Sequence, residues 1–250
     1  MIVRNEIPLL EYDDNSPEVI APDHDWTAGR LPEKCLFAFL GEAVHRYAEM
    51  HDARVAETLI TVSHDIKVYV LHEEMEEICL VQSPIGAAAS SQVLDTLISC
   101  GCRKVIAVGS CGVLADLEEN MFIVPDKALR AEGTSYHYLP ASRYIELDEE
   151  PISVIKETFK KYNLSFVTCT TWSTDGFSVK QKIWSIIDWK KAVWWLKWNV
   201  PHLLRAQGNA ELRLDSSCLQ RTRWRMFMNM MRGILERNLM KRLFCLDSRY

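Results

Sequence analysis

The sequence has no apolar run that could cross a bilayer and no signal for secretion. Its longest apolar runs, such as Leu36–Leu40, are far shorter than the roughly 20 residues that a transmembrane helix needs. The first residues also lack the charged-then-apolar layout of a secretory signal peptide. We therefore expect a cytoplasmic protein that binds no membrane.

Cysteine is present, but not at the spacing of a zinc site. Cys100 and Cys102 form a Cys-x-Cys, and no second pair follows at the distance that zinc ligation requires. The eight cysteines suit a reducing compartment, in which they remain free thiols. We therefore predict buried, unreactive thiols, no metal site and no cofactor.

Glycine and acidic residues are scarce in the last part of the chain. Residues 178–250 contain two of the ten glycines, 5 Asp+Glu and 15 Lys+Arg, a net charge of +10. Residues 1–177 contain 14 Lys+Arg and 29 Asp+Glu, a net charge of −15. Six of the eight tryptophans also follow residue 177. This break predicts a domain over residues 1–177 and a basic, Trp-rich tail over residues 178–250.

Before the break, short apolar strands alternate with amphipathic helices. Apolar or alternating runs predict strands at residues 36–40, 66–71, 78–82, 105–108, 122–124 and 166–171. Apolar residues three and four apart predict helices at residues 42–51, 87–100 and 151–162. Strands that alternate with helices at this spacing are typical of an α/β fold whose sheet is covered on both faces.

Two glycine-bearing turns follow neighbouring predicted strands. The turn Gly109-Ser110-Cys111-Gly112 can present backbone N–H groups and the Ser110 hydroxyl to an anion, or it can be only a tight turn. The segment Ser83–Gly86 turns the chain after the strand before it. Turns at the ends of adjacent strands form the crevice in which open α/β sheets bind ligands.

A third segment, Glu132–Tyr138, gathers an acid, two hydroxyls, an imidazole and two phenol rings around one glycine. This composition fits a polar surface loop. It fits equally a loop that stacks on a small ligand and hydrogen-bonds it. The residues alone leave both interpretations open.

These three regions, in this order, resemble the nucleoside phosphorylase superfamily. VIAVGSCGVL (105–114) resembles the strand and turn of the purine nucleoside and uridine phosphorylases. KALRAEGTSYHYLP (127–140) resembles the loop that follows in the uridine-phosphorylase-like branch, and TTWSTDGF (170–177) resembles a later segment whose aromatic residue lies over the base. The resemblance covers about residues 36–177 and implies a phosphorylase/hydrolase-like, three-layer α/β/α fold with a mixed central sheet.

The resemblance also implies a reaction, pentosyl transfer in nucleoside catabolism or salvage. Inorganic phosphate, the co-substrate, attacks C1′ of a purine or pyrimidine nucleoside, and the base leaves through a transition state like that of glycoside hydrolysis. Intact relatives are expected to be homo-oligomers. The implied phosphate-binding residues are Gly109, Ser110, Gly112 and Gly86. The implied nucleoside-binding residues are Phe177, Thr134, Ser135 and His137.

Two departures from the family pattern bear on the nucleophile. Many phosphorylases place an arginine where this chain has Ala107, and another near residues 41–45, where none stands. Arginine suits phosphate because its planar fork donates two charged hydrogen bonds. Either another residue holds phosphate here, such as Arg130 or Arg143, or water replaces phosphate, as in the nucleosidases of the same superfamily.

The tail resembles a shifted reading frame of the same gene. The family continues with a Val-Glu-Met-Glu strand that grips the ribose and a later Asp that acts as general acid, and neither follows residue 177. Tryptophan has only one codon. In the shifted frame, the last base of each codon is read with the first two bases of the next codon, so the codons that overlap a tryptophan are partly known. In that frame Trp194–Trp195 encodes Val and Trp198–Asn199 encodes Glu, and suitable codons between them complete VVEMEC. We therefore expect impaired nucleoside cleavage and a tail without the family's structure.

A genuine basic extension is the alternative interpretation of residues 178–250. Lysine and arginine contact phosphates and tryptophan stacks on bases, so such a segment could bind nucleic acid. It could also lie on an acidic membrane surface. Nucleic-acid binding through the tail therefore stands as a third hypothesis beside phosphorolysis and hydrolysis.

Overall fold

The computed structural model describes residues 4–13, 19–22, 24–73, 76–111, 121–176 and 210–215. The strands in this part of the chain are β1 (Lys34–Phe39), β2 (Arg54–Ile60), β3 (Asp65–Glu73), β4 (Glu76–Gln82), β5 (Lys104–Cys111), β6 (Phe122–Ala131), β7 (Tyr144–Glu146), β8 (Phe166–Thr174) and β9 (Ala210–Asp215). The α-helices are α1 (Glu42–Met50), α2 (Ala87–Ser99) and α3 (Glu149–Lys161), and short 3-10 turns occupy Pro8–Leu10 and Thr134–His137.

The strands form one mixed sheet, as the resemblance implied. Their order is β2-β3-β4-β1-β5-β9-β6-β7. β8 pairs with β6 but is not part of this linear order. β4, β1, β5 and β9 are parallel neighbours. β3 is antiparallel to β2 and β4, and β6 is antiparallel to β7 and β9 but parallel to β8.

Helices cover both faces of the sheet. α1 and α3 bury Tyr47 and Phe159 in one apolar cluster, and α2 buries Leu94 in the other. β1 lies between them: Leu36 belongs to the first cluster and Phe37 to the second. Successive side chains of a strand point to opposite faces, so a strand buried on both faces is an unbroken apolar run. The three-layer α/β/α fold is thereby confirmed.

β5 is longer than its sequence predicts, so the turn expected at Gly109 begins later. The strand continues to Cys111 because it pairs on both sides, Gly109 with Phe39 of β1 and Cys111 with Asp215 of β9. β6 likewise continues past Pro125, where its register against β8 shifts. β2 and β7 carry no strand signal in the sequence, because β2 is largely half-exposed and β7 has only three residues.

The tail contributes β9, whose backbone fills the position between β5 and β6. The rest of residues 178–250 lies outside the described residues, and with it the predicted contacts of the tail with nucleic acid or a membrane surface. The boundary at residue 177 and the non-native structure of the tail therefore stay predictions.

The cysteines that the structure describes are free, and all except Cys169 are buried. Cys35, Cys79 and Cys102 all belong to the apolar cluster beneath α2. Hydrogen bonding with Cys102 and burial raise the pKa of Cys35 and Cys79, so both thiols stay protonated. Within the described part of the chain, no helix is long and apolar enough to cross a membrane.

Candidate functional site

The carboxyl ends of three adjacent parallel strands meet at one edge of the sheet. β4, β1 and β5 lie side by side, with Ala38 paired to Gln82 and Phe39 paired to Gly109. Open α/β sheets bind ligands outside the carboxyl ends of their strands. We call residues 39–42, 83–87 and 109–111, which follow or end these strands, the strand-end crevice.

Two helices begin at the strand-end crevice with glycine as N-cap. Gly41 has a φ of +60° and Gly86 a φ of +106°, backbone conformations that favour glycine. Neither N-cap makes a side-chain hydrogen bond to its helix, and a Cβ at either glycine would meet nothing within 4 Å. The first N–H groups of α1 and α2 are therefore available at an open edge, and helix N-termini attract anions.

Buried hydroxyls hold the turn between β4 and α2 in place. The N–H of Ser83 donates to the carbonyl of Ala38 over 2.8 Å, and Ser83 Oγ lies 2.9 Å from Ser90 Oγ. Ser90 Oγ in turn donates to the carbonyl of Pro84 over 2.7 Å. Both serines are buried, so a satisfied polar network fixes the position of Gly86.

The predicted phosphate-binding residues that the structure describes all lie at this edge. Gly109 and Ser110 belong to the end of β5, and Gly86 begins α2 after β4, on the far side of β1. Two strand spacings, about 10 Å, separate the end of β4 from the end of β5. Gly112 lies outside the described residues. These assignments stay predictions.

Neither of the family's arginine positions supplies a cation here. Ala107 is buried with Phe37 and Leu94 in the apolar cluster beneath α2. Glu42 is an exposed acid in the first turn of α1. A carboxylate at this edge opposes a phosphate anion, but it can orient or deprotonate a water molecule. Glu42 is not among the predicted site residues, although its place directly after a strand and a glycine is a visible signal.

The predicted nucleoside-binding loop lies at the other end of the sheet. β6 is antiparallel to β9, and β9 is parallel to β5, so the loop after β6 leaves at the end opposite to the strand-end crevice. There the N–H of Gly133 donates to Asp175 Oδ2 over 2.9 Å, and Tyr138 Oη donates to Asp95 Oδ2 of α2. The structure thus brings two of the family-like segments together, 132–138 and 170–176. Phe177 lies outside the described residues.

Arg130 organises this loop from a buried position near the end of β6. Its Nε donates to Ser135 Oγ over 2.9 Å. Its Nη1 donates to the carbonyl of Pro140 over 2.7 Å and to Ser142 Oγ over 2.9 Å, and Nη2 donates to the carbonyl of Leu139 over 3.3 Å. Burial lowers the pKa of Arg130, but a guanidinium remains charged in proteins. This arginine therefore holds the loop and is remote from the strand-end crevice.

The three described members of the predicted nucleoside-binding set differ in their surroundings. Ser135 is buried; its N–H donates to Glu132 Oε2 over 2.9 Å, and its hydroxyl accepts the bond from Arg130. Glu132 is also buried, and its Oε1 has no hydrogen-bond partner among the described residues. Thr134 is half-buried and His137 is exposed. Ser135 therefore builds the loop, while Thr134 and His137 are accessible to a ligand.

A mixed sheet between two helical layers, with two glycine-capped helices that begin at the carboxyl ends of β1 and β4, defines a three-layer α/β/α domain. The family model of the Phosphorylase superfamily matches residues 34–208. The chain therefore belongs to the phosphorylase superfamily, which confirms the resemblance found in its motifs. The match continues past residue 177, so the family signal does not stop where the composition changes.

Solved structures of nucleoside-cleaving enzymes share this fold. Uridine phosphorylase from Vibrio fischeri aligns over 85% of this chain and 91% of its own, with 17% identity and a TM-score of 0.67. AMP nucleosidase from Bacteroides thetaiotaomicron aligns over 84% and 90%, with 18% identity and a TM-score of 0.65. The 5′-methylthioadenosine/S-adenosyl homocysteine nucleosidase from Campylobacter jejuni aligns over 82% and 98%, with 13% identity and a TM-score of 0.64. At these identities the likeness shows the fold alone. No curated protein sequence matches the chain.

Proposed function

We propose that this chain derives from an enzyme that cleaves the N-glycosidic bond of a purine or pyrimidine nucleoside, with inorganic phosphate bound as nucleophile in the strand-end crevice. The observation that carries the proposal is that two helix N-termini meet the end of β5, which bears Ser110, at one edge of the sheet. The helix N-termini can hold an anion without a positively charged side chain, because each carries about half a positive charge. Membership of the phosphorylase superfamily supports the reaction class.

Phosphate in the crevice would act on the sugar and not on the base. The bond from C1′ to the base lengthens first, and positive charge develops on the ribose, as in glycoside hydrolysis. A phosphate oxygen then forms the bond to C1′, and the base leaves with the electron pair of the broken bond. The hydroxyl of Ser110 would orient the phosphate by donating a hydrogen bond to it.

Hydrolysis is the second candidate, and two observations favour it. Ala107 is packed in the apolar core, and Glu42 is an exposed carboxylate at the crevice. A site with a carboxylate and without the family's arginines binds phosphate less strongly and can use a water molecule deprotonated by Glu42. Phosphorolysis and hydrolysis differ in one product, since phosphate yields ribose 1-phosphate and water yields free ribose.

The chain as written should cleave nucleosides slowly or not at all. The resemblance requires a Val-Glu-Met-Glu strand for the ribose and a later Asp as general acid, and neither follows residue 177 in the family's context. Catalytic groups that act as a unit lose most of the rate when one is removed. A one-base correction after codon 177 should therefore restore activity.

The test measures initial rates of cleavage of a purine and a pyrimidine nucleoside against phosphate concentration. The frame-restored protein should show a rate that saturates with phosphate. In that background Ser110→Ala should raise the apparent phosphate constant by roughly 10- to 100-fold, because it removes one hydrogen bond to a charged group. Ser99→Ala, at an exposed position at the far end of α2, is the matched control and should leave the constant unchanged.

Two outcomes would contradict the proposal in different ways. Cleavage that is independent of phosphate and releases free ribose would establish hydrolysis, and Glu42→Gln should then abolish it. A phosphate curve that Ser110→Ala leaves unchanged would show that the strand-end crevice does not hold the nucleophile.

A further inference from the structure

A cavity of about 570 Å³ lies beside Arg130, where β6 and β8 end. Its walls include Tyr136 from the loop, Trp172 from β8, and the exposed residue Arg143. Two of the described lining residues are arginines and none is acidic. The cavity is at the end of the sheet opposite to the strand-end crevice, so the proposed nucleophile site does not account for it.

The charge of Arg130 is buried without an ion pair in the described part of the chain. The residue is 5% exposed, and its four hydrogen bonds all go to neutral acceptors, two hydroxyls and two carbonyls. A guanidinium has five N–H donors, so one Nη2–H has no acceptor among the described residues. The nearby carboxylate of Glu132 accepts instead from the N–H of Ser135.

An anion in the adjacent cavity would complete this arrangement. Burying a charge away from water is costly unless the charge is paired. Arg130 meets part of that cost through its hydrogen bonds and through the ring of Tyr136, whose centre lies 4.1 Å from the guanidinium carbon. Arg143 adds a second positive charge on the same cavity. The nearby carboxylate of Glu132 offsets part of the charge of Arg130, and the two arginines on the cavity wall favour a ligand with negative charge.

The walls of the cavity also suit a flat ligand. Trp172 is 6% exposed and pairs in register with Leu129, another wall residue. Together with Tyr136 these residues give apolar and aromatic surface around the two arginines. Aromatic and apolar walls with a few polar groups are typical of small-molecule sites, whose volumes are about 300–1,000 Å³. The cavity is large enough for a ligand of the size of a mononucleotide.

We propose that this cavity is a second phosphate-binding site, at which Arg130 and Arg143 hold either inorganic phosphate or the phosphate group of a nucleoside monophosphate. The site goes beyond the proposed cleavage reaction, because it lies on the β6–β8 end of the sheet and shares no residue with the strand-end crevice.

The test is calorimetric titration of the full chain with inorganic phosphate, with a nucleoside 5′-monophosphate and with the corresponding uncharged nucleoside. Arg143→Gln should weaken binding of both phosphate-bearing ligands by about tenfold or more, because it removes one charged partner. Arg143→Lys should recover part of the loss. Arg143 is exposed, so its replacement should not unfold the loop as replacement of Arg130 would.

Two controls separate this site from other sources of anion binding. Arg54→Gln removes an exposed arginine on β2, whose side chain is 58% exposed, and should leave binding unchanged; background binding by the basic tail is common to all variants. Phosphate bound in the strand-end crevice is recognised by its loss in Ser110→Ala, whereas binding at this second site is recognised by its loss in Arg143→Gln. The proposed cleavage activity and this site can therefore fail independently.

The outcomes divide as follows. Tighter binding of the monophosphate than of inorganic phosphate identifies a nucleotide site, and equal binding identifies a site for free phosphate; both support the proposal. Binding that Arg143→Gln leaves unchanged would overturn it, as would an uncharged nucleoside that binds as tightly as its monophosphate.

Discussion

Replacing Arg130 by methionine tests whether one buried guanidinium holds the loop that carries Thr134, Ser135 and His137. Methionine keeps most of the apolar length of the side chain and removes all five donors. The four hydrogen bonds of Arg130 then disappear together, and so does its contact with the ring of Tyr136.

The magnitude follows from what each lost partner can do. The carbonyls of Leu139 and Pro140 and the hydroxyl of Ser142 lie on half-buried or exposed residues and can turn to water. Ser135 is buried and loses its charged donor. Leaving a buried hydrogen-bonding group without its partner costs about 1–3 kcal/mol, a substantial share of the roughly 5–15 kcal/mol by which a domain is stable.

Urea unfolding followed by far-UV circular dichroism measures this loss, and limited proteolysis measures opening of the loop. Arg130→Met should lower the free energy of unfolding by about 1–3 kcal/mol and make residues 132–143 the first internal cleavage site. Arg143→Met is the matched control, since Arg143 is exposed, and should change stability by less than about 0.5 kcal/mol. A loss below about 1 kcal/mol with the loop still resistant would refute the structural role given to Arg130.

Other predictions concern the backbone, the pH dependence and the tail. Gly101→Ala should destabilise the protein more than Gly86→Ala. Both glycines have positive φ, a conformation that costs another residue about 1–3 kcal/mol, but only at Gly101 would the new Cβ lie 2.7 Å from another side-chain carbon. Equal losses in the free energy of unfolding, measured in urea, would contradict this prediction. Hydrogen bonding, chiefly from the hydroxyl of Thr27, lowers the pKa of Glu57. The stability that Glu57 contributes should therefore be complete above the usual carboxyl pKa and be lost as the pH falls through the lowered pKa. An NMR titration that finds an ordinary pKa for Glu57 would contradict this prediction. The break in composition predicts that limited proteolysis removes residues 178–250 early and leaves a resistant core. A tail as resistant as the core would show instead that β9 holds it in the sheet.

Local patterns in the sequence were sufficient to predict the class of fold and the family. The unbroken apolar run of β1 and the helical spacing in α1, α2 and α3 reflect burial on the two sides of a sheet, which is a local property of the chain. The turn before α2 was visible because a backbone with positive φ favours glycine, and Gly86 has such a φ. The motif at residues 105–114 indicated the superfamily that the family match confirms.

Only the tertiary structure decided how the predicted site residues are arranged. Sequence order could not show that the loop after β6 and the end of β5 lie at opposite ends of the sheet, because strand direction is set by pairing with β9, a segment distant in sequence. It could not show that Ala107 packs in the core or that Glu42 stands exposed at the crevice. Nor could the sequence show that Arg130 is buried beside a cavity, since arginine is usually exposed. Burial and charge pairing are properties of residues brought together from different parts of the chain, and no local pattern encodes them.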